Sequence, residues 1–177
     1  MVAVTMYNPV AKQLSKFIHK FRWATILGTP LVAGVLLFNP PTSAQQVKSP
    51  PIFENATISP NSSPKTMRGI GGGSVAASKV AGSTETATGA CVGFVDEKAD
   101  HTLVLTSFFK NLTIQVESPE DSTIVIKGPG GTWCNDDYQG KNPGISGQWL
   151  EGAYKIWVGT YKQNNTNPYV IRLTPGK

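Results

Sequence analysis

Hydrophobic and polar positions alternate through much of the C-terminal half of the chain, and this period of two predicts β-strands. The clearest example begins at Asn111, where Leu112, Ile114 and Val116 fall on one face. Such runs are rich in β-branched and aromatic residues and are bounded by Gly, Pro, Asn and Asp. The predicted strands cover residues 91–95, 101–106, 111–117, 123–126, 146–149, 154–158 and 168–173.

The spacing of these strands indicates the fold class. Short strands at intervals of about ten residues are typical of an all-β sandwich or barrel, whereas a parallel sheet needs helices between its strands. We therefore expect a small antiparallel β domain over residues 89–177. A domain of this size has a thin core, because small chains bury a smaller share of their surface on folding.

The N-terminal segment has the pattern of a secretory signal peptide, which we place at residues 1–44. A basic stretch at residues 12–22 precedes an uncharged apolar run at 23–38, and small residues follow at 42–44. This order predicts a signal helix, export, and a periplasmic or secreted protein. The alternative is an uncleaved anchor, the one case in which the chain would contact a membrane, although the apolar run is short for a span.

Between the signal and the strands, residues 45–88 have the composition of a flexible linker. Prolines at positions 50, 51, 60 and 64 interrupt regular structure, and a glycine-rich stretch follows at residues 69–73. Few large apolar side chains are available for burial, so the segment has little to offset the entropy lost on ordering. We predict that it is disordered.

Charge argues against nucleic acid as a partner. The formal net charge of the 177 residues is +5, but four of the basic residues lie within the signal segment, which contains no acid. The rest of the chain is close to neutral and has no basic stripe of the kind that contacts phosphates. The content of 18 Gly and 13 Pro against 15% charged residues fits short strands joined by turns.

Cys91 and Cys134 both lie beyond the signal segment and predict one disulfide bond in an oxidising compartment. Closing the loop between them would restrict the unfolded chain by about 4 kcal/mol. Two buried free thiols are the alternative. Trp133 is next to Cys134, and we expect its ring to pack over the bridge.

A candidate calcium site follows the turn at residues 128–131. Asn135, Asp136 and Asp137 supply side-chain oxygens of the type calcium prefers, and Asp121 is a fourth candidate ligand. The alternative is that these residues only form turns, where Asn and Asp hydrogen-bond their own backbone. No EF-hand pattern is present.

Catalytic motifs are weak. His101 is the one histidine after the signal segment, and no serine lies in a Gly-x-Ser-x-Gly elbow. The adjacent carboxylates of Asp136 and Asp137 would point to opposite faces of an extended chain, which does not suit an acid/base pair. We predict a non-enzymatic protein, with a small secreted hydrolase using His101 as the less favoured alternative.

Several segments together resemble the bacterial pre-peptidase C-terminal domain family. The resemblance is carried by residues 121–126, 128–130, 135–137, 152–159 and 168–173. It implies a jelly-roll-like β-sandwich that is not itself catalytic. In this family some members bind calcium or extracellular polymers such as collagen, and others assist the secretion and stability of a neighbouring enzyme.

These observations lead to one functional expectation. The chain is expected to be an exported, non-catalytic interaction module that binds an extracellular or periplasmic protein or glycan. Aromatic side chains that alternate with polar residues suggest the binding surface, which we place at Trp133, Tyr154 and Trp157. The alternative is a purely structural accessory domain stabilised by calcium.

Overall fold

The computed structural model describes residues 52–176, so the predicted signal segment lies outside the described residues. Within residues 52–176 the chain forms two β-sheets, a short hairpin and one five-residue helix. In this part of the chain no helix is long and apolar enough to cross a membrane. The elements are β1 (Ala56–Ile58), β2 (Lys65–Gly72), β3 (Val75–Ala76), α1 (Ala77–Ala81), β4 (Glu85–Thr86), β5 (Gly89–Ala90), β6 (Phe94–Val95), β7 (His101–Leu105), β8 (Phe109–Glu117), β9 (Ser122–Gly128), β10 (Gly131–Asn135), β11 (Gly144–Trp149), β12 (Gly152–Thr160) and β13 (Thr166–Pro175).

The two sheets are built around β12 and β13. In the large sheet, β12 pairs with β9, which pairs with β10, and its other edge pairs with β7 near Gly152 and with β6 at Thr160. The small sheet has the order β11-β8-β13-β2. Every pairing is antiparallel except that of β1 with β7, which is parallel. The predicted all-β, antiparallel sandwich is confirmed.

Most predicted strands are confirmed, with longer bounds. The runs at 101–106, 111–117, 123–126, 154–158 and 168–173 are β7, β8, β9, β12 and β13, and the run at 146–149 is the edge strand β11. The run at 91–95 is different, because only Phe94–Val95 is a strand there. β10 was not predicted, since its glycines and polar residues suggested a turn.

The main core lies between the two sheets. The alternation in β8 places Leu112, Ile114 and Val116 inside with no exposed surface, as the pattern predicts. Tyr154 and Ile156 of β12 are equally buried on the facing sheet. Burial of aliphatic and aromatic side chains of this size contributes about 1.5–3 kcal/mol each, so this layer supplies most of the stabilisation.

A second core covers the outer face of the large sheet. The predicted disulfide between Cys91 and Cys134 is present and packs with Val125, Trp157 and the helix α1. Because this layer buries its outer face, β9 is buried continuously from Ser122 to Ile126 instead of alternating. The two cores together explain why so short a chain forms a stable sheet.

The predicted position of Trp133 over the disulfide is wrong. Its ring centroid lies 5.0 Å from that of Trp149 and 6.0 Å from that of Tyr154, on the side of the main core. Trp133 and Cys134 are neighbours in β10, and successive side chains of a strand point to opposite faces. Trp157 is the tryptophan that packs in the layer of the disulfide.

The predicted flexible linker is also wrong for residues 56–88. Strand β2 pairs with β13 from Leu173 to Thr166, and its Met67 has no exposed surface. Further along, β3 pairs with β6, and α1 forms part of the second core, where Ala77 and Ala81 are buried. The small side chains that suggested disorder are the ones that allow close packing against the sheet.

Glycines in β2 provide close contacts rather than flexibility. A Cβ atom at Gly69 would lie 2.3 Å from the hydroxyl oxygen of Tyr169, and one at Gly71 would lie 2.8 Å from the carbonyl oxygen of Val158. The Tyr169 ring and the β12 backbone therefore occupy the space that a larger residue would need. This packing holds β2 against both β13 and the large sheet.

Gly71→Ala is expected to lower the free energy of unfolding by about 1–3 kcal/mol, because the added methyl group meets backbone that cannot rotate away. Gly147→Ala is the matched control, since Gly147 lies in the edge strand β11 with no atom within 4 Å of the added Cβ. Urea denaturation of the two variants measures the difference. Equal stability of both would contradict close packing at Gly71.

Candidate functional site

Three adjoining depressions form a groove along one side and one end of the sandwich, and we call it the polar groove. Their volumes are about 460, 290 and 180 Å³, the first two share Asp96, and the last two share Asn165. The first depression is lined by Phe53 and residues 96–100. The second is lined by residues 70–74, Asp96 and residues 164–166. The third is lined by Glu120, Asp121, Thr160, Tyr161, Lys162, Asn165 and Asn167.

The floor of the polar groove is made by backbone segments that approach very closely. Gly72 and Gly73 have φ values of 134° and 139°, a region that favours glycine. A Cβ atom at Gly72 would lie 2.0 Å from the Asn165 carbonyl oxygen, and one at Gly73 would lie 2.2 Å from the Val95 carbonyl oxygen. Across this contact the Asn164 N–H donates a 2.9 Å hydrogen bond to the Gly73 carbonyl oxygen. The floor therefore has a defined shape.

Side chains with oxygen atoms dominate the walls. Five carboxylates line the groove and only two lysines, Lys98 and Lys162, accompany them, so its charge is negative. The carboxylates are those of Asp96, Glu97, Asp100, Glu120 and Asp121. Within residues 52–176, the Asn167 Nδ2 is buried and has no hydrogen-bond partner. A buried donor of this kind costs about 1–3 kcal/mol, which a bound acceptor would recover.

Two exposed aromatic rings lie in the polar groove. Phe53 is 42% exposed in the first depression, and Tyr161 is 61% exposed in the third. Tyr161 begins the loop between β12 and β13, immediately after the buried Thr160. Aromatic rings that stay exposed in loops offer apolar contact area to a ligand, since their burial does not serve the core.

Asp100 has the most perturbed carboxyl group in the groove. Burial raises its pKa to about 7, and the negative charge of Asp96 acts in the same direction. A hydrogen bond of 2.7 Å from the Val158 N–H to Asp100 Oδ2 opposes these effects. Near neutral pH this group is therefore divided between its neutral and charged forms.

His101 lies behind the groove, fully buried and held through both ring nitrogens. Its Nδ1 donates to the Glu54 carbonyl oxygen at 2.6 Å, and the Tyr169 hydroxyl donates to its Nε2 at 2.8 Å. Burial lowers the pKa of His101 and raises that of Tyr169, so the ring is neutral. These hydrogen bonds attach the segment of residues 53–55 to β7 of the large sheet. The Thr102 N–H donates a further hydrogen bond to Asn55 Oδ1, and together these contacts hold Phe53 in place.

The candidate calcium ligands are only partly brought together. Burial and the negative charges of Asp137 and Asp121 raise the pKa of Asp136, so both of these carboxylates lie near enough to act on it. Asn135 serves the fold instead, because its Nδ2 donates to the Thr88 carbonyl oxygen at 2.9 Å and its Oδ1 accepts from the Gly144 N–H at 3.0 Å. Between residues 52 and 176 no three His, Cys, Asp or Glu side chains are grouped closely enough to hold a metal ion. The structure therefore brings Asp136 near Asp137 and Asp121 but engages Asn135 in the fold, and calcium binding stays a prediction.

The predicted aromatic binding surface is wrong for two of its three residues. Tyr154 has no exposed surface and Trp157 only 9%, since both are needed to fill the two cores. Trp133 is partly buried against the main core. Tyr161, which was not part of that predicted surface, is exposed because it lies in the loop between β12 and β13 and not within a strand.

Sequence patterns missed the amide side chains and glycines of the groove. Residues 163–167, at the end of the β12–β13 loop and the start of β13, contain four asparagine or glutamine side chains, which is a detectable sign of a polar surface. Gly72, Gly73 and Ser74 lie within the predicted linker, which no sequence pattern connects with this loop. Their pairing depends on β2 joining the small sheet.

A second groove of about 810 Å³ lies at the opposite end of the small sheet, beyond the start of β8 and the end of β13. Its walls include three prolines and Phe108, which is 46% exposed, and Lys110 is its one charged side chain. Asn61, Ser62, Asn111 and Thr174 also line it, but among residues 52–176 none of the buried polar side-chain atoms that lack a partner belongs to its lining. We therefore take the polar groove as the candidate site.

No protein-family model matches the chain. An uncharacterised protein of Synechococcus elongatus is 36% identical over 63 residues, which cover 36% of this chain and 46% of that protein. The chain thus spans about half the length of the curated relative that it matches.

Two solved structures are similar in fold. The pre-peptidase C-terminal domain of a collagenase from Bacillus anthracis matches with a TM-score of 0.40 and 16% identity, over 72% of this chain and all of that domain. This is a domain of the family that the sequence resembles. PliG of Aeromonas hydrophila, a periplasmic inhibitor of g-type lysozyme, matches with a TM-score of 0.38 and 13% identity, over 68% of this chain and 96% of its own.

The perturbed carboxyl group of Asp100 predicts a pH dependence of stability. Its pKa is raised from the ordinary 3.8 to about 7 on folding. The folded state therefore favours the protonated form, and this contribution is complete below about pH 4 and is lost as the pH rises to about 7. We expect Asp100 to contribute a fall in stability of about 1–2 kcal/mol between pH 5 and pH 8, less than the full linkage value because the carboxylate is partly solvated. The lowered pKa of buried His101 acts in the opposite direction, so the Asp100 contribution is the difference between the wild type and a variant without this carboxyl group.

Asp100→Asn should lose most of this pH dependence while its amide oxygen still accepts the Val158 N–H. Glu97→Gln, at an exposed position of the same loop, should behave like the wild type. Denaturant unfolding at several pH values measures all three proteins. Identical pH profiles for the wild type and Asp100→Asn would show that Asp100 does not titrate in this range.

Proposed function

We propose that this chain is an exported, non-catalytic interaction module that binds an extracellular or periplasmic partner in the polar groove. The observation that carries the proposal is the meeting of exposed Tyr161 with the unpartnered, buried amide of Asn167 in one depression. An exposed ring and an unsatisfied donor both cost free energy in the isolated protein, and a ligand that covers them recovers it.

Export is supported by the disulfide and by the signal pattern at residues 1–44. The Cys91–Cys134 bond lies in the second core. Reduction of the bond would free the unfolded chain and so lower the free energy of unfolding by about 4 kcal/mol. Structural disulfides of this kind persist in oxidising compartments such as the periplasm or the cell exterior. The proposed location is therefore periplasmic or secreted.

The absence of catalysis is supported by the state of His101. Both of its nitrogens are engaged with Glu54 and Tyr169, and its side chain is buried behind the groove. A general base needs a free nitrogen within reach of a nucleophile or substrate. A hydrolase that uses His101 would require this network to break first.

Saturable binding to an extracellular protein or cell-wall glycan is the expected behaviour of the purified protein. Tyr161→Ala should weaken such binding about tenfold or more, since it removes the exposed ring from the groove. Phe108→Ala is the matched control, because it removes a similarly exposed ring from the opposite end of the sandwich. Surface plasmon resonance against immobilised partners would measure both variants. Loss of binding in Phe108→Ala with normal binding in Tyr161→Ala would move the site to the other groove, and a lack of any saturable binding would overturn the proposal.

The alternative function is a structural accessory domain stabilised by calcium. The repulsion of Asp136 by Asp137 and Asp121 favours it, because a bound cation would relieve that repulsion. A calcium-stabilised domain must unfold at a higher temperature when calcium is present.

The binding-module proposal expects the same unfolding midpoint in millimolar calcium and in chelator. Differential scanning calorimetry makes the comparison, with magnesium as the control for nonspecific effects of divalent cations. A midpoint that rises with calcium alone, and no longer rises in Asp136→Asn, would establish the alternative.

A further inference from the structure

The geometry points to an uncharged, polyhydroxylated polymer, a chain of neutral sugar residues, as the ligand that lies along the polar groove. This inference rests on the proposed function and specifies its ligand class. It follows from the hydrogen-bonding groups, the aromatic rings, the charge and the length of the groove.

The hydrogen-bonding groups of the third depression suit hydroxyl groups. The carboxylates of Glu120 and Asp121 only accept hydrogen bonds when ionised, whereas the amides of Asn165 and Asn167 both donate and accept. A hydroxyl group is itself donor and acceptor, so neighbouring hydroxyls on a sugar ring can satisfy both kinds of partner. The buried Asn167 Nδ2, which has no partner within residues 52–176, would gain such an acceptor on rotation of its side chain towards the depression.

The aromatic rings suit the other surface of a sugar. The C–H bonds on the face of a sugar ring are weakly positive, and the face of an aromatic ring is weakly negative, so the two attract when they stack. Tyr161 has its ring exposed beside the carboxylates of the third depression, and Phe53 has its ring exposed in the first. A sugar unit could stack at each of these two positions.

The charge of the groove separates ligand classes. Five carboxylates against two lysines repel anionic polymers such as sulfated or uronic-acid glycans. A cationic peptide would need a continuous acidic surface, but Lys98 lies among the carboxylates of the first depression and Lys162 among those of the third. The ends of the groove are therefore of mixed charge, which favours a neutral ligand.

The length of the groove favours a polymer over a single sugar. Asp96 lines the first and second depressions and Asn165 lines the second and third, so a ligand can pass from one to the next along the surface. In the middle depression the wall consists largely of glycine and asparagine residues, with no large side chain except Ile70 that would divide the path. Binding should therefore strengthen with the number of sugar units.

The test uses isothermal titration calorimetry with the intact purified protein and defined probes. Cellohexaose, maltohexaose and N-acetyl-chitohexaose represent neutral glycans, hexalysine represents a cationic peptide, and a hyaluronan hexasaccharide represents an anionic glycan. At least one neutral hexasaccharide should bind at least tenfold more tightly than its disaccharide. Its Kd should change less than about threefold when the salt concentration is raised tenfold, since screening affects charged ligands.

Variants connect this binding with the groove. Tyr161→Ala should weaken binding of the neutral hexasaccharide about tenfold or more, and Tyr161→Phe should retain it, because the ring rather than the hydroxyl makes the stacking contact. Phe108→Ala should leave it unchanged. Circular dichroism confirms that each variant is folded before titration.

The other outcomes separate the ligand class from the proposed function. Binding of hexalysine that weakens with salt and is lost in Glu120→Gln would overturn the neutral-glycan inference and leave the polar groove as an interaction site. Binding of an extracellular protein at Tyr161, with no glycan bound, would do the same. If no glycan, peptide or protein binds, both the inference and the proposed function fail.

Discussion

The large sheet has to be buried on both faces, and the packing of α1 and the Cys91–Cys134 disulfide against its outer face meets this requirement. Val125 and Trp157 point outward from the two central strands, and without this layer both would be exposed. The layer is made largely of small residues such as Ala77 and Ala81, which contribute little burial individually. The covalent link compensates because it removes conformations from the unfolded chain.

Strand β12 connects this second core with the polar groove. Its Val158 faces the main core, while the Val158 N–H donates to Asp100 in the first depression. At its end, the buried hydroxyl of Thr160 donates to the Lys162 carbonyl oxygen at 2.8 Å and fixes the loop that begins with Tyr161. The walls of the groove are therefore attached to a strand that pairs with three others. A site with such support has little ordering entropy to lose when a ligand binds.

The strands were predictable because their period of two is a local property that the sheet preserves. Leu112, Ile114 and Val116 are inside for the reason that the alternation implies. The disulfide was predictable from the number and position of the cysteines. The role of residues 56–88 was not predictable. In the sequence alone Gly69 and Gly71 indicate flexibility, whereas in the fold they allow the ring of Tyr169 and the backbone of Val158 to pack closely. That proximity depends on pairing between β2 and β13, which lie far apart in the sequence.

The candidate site was harder to predict for a related reason. Its lining comes from segments near residues 53, 72, 98, 120 and 164, which are joined only by the folded backbone. Aromatic residues within strands, such as Tyr154 and Trp157, are poor indicators of a binding surface in a thin sandwich, because the two cores need their volume. Exposed aromatic rings then remain where the chain leaves the sheets, as Tyr161 does. In a small β-sandwich, a ring in a loop beside unpaired polar groups is therefore stronger evidence for binding than a ring within a strand.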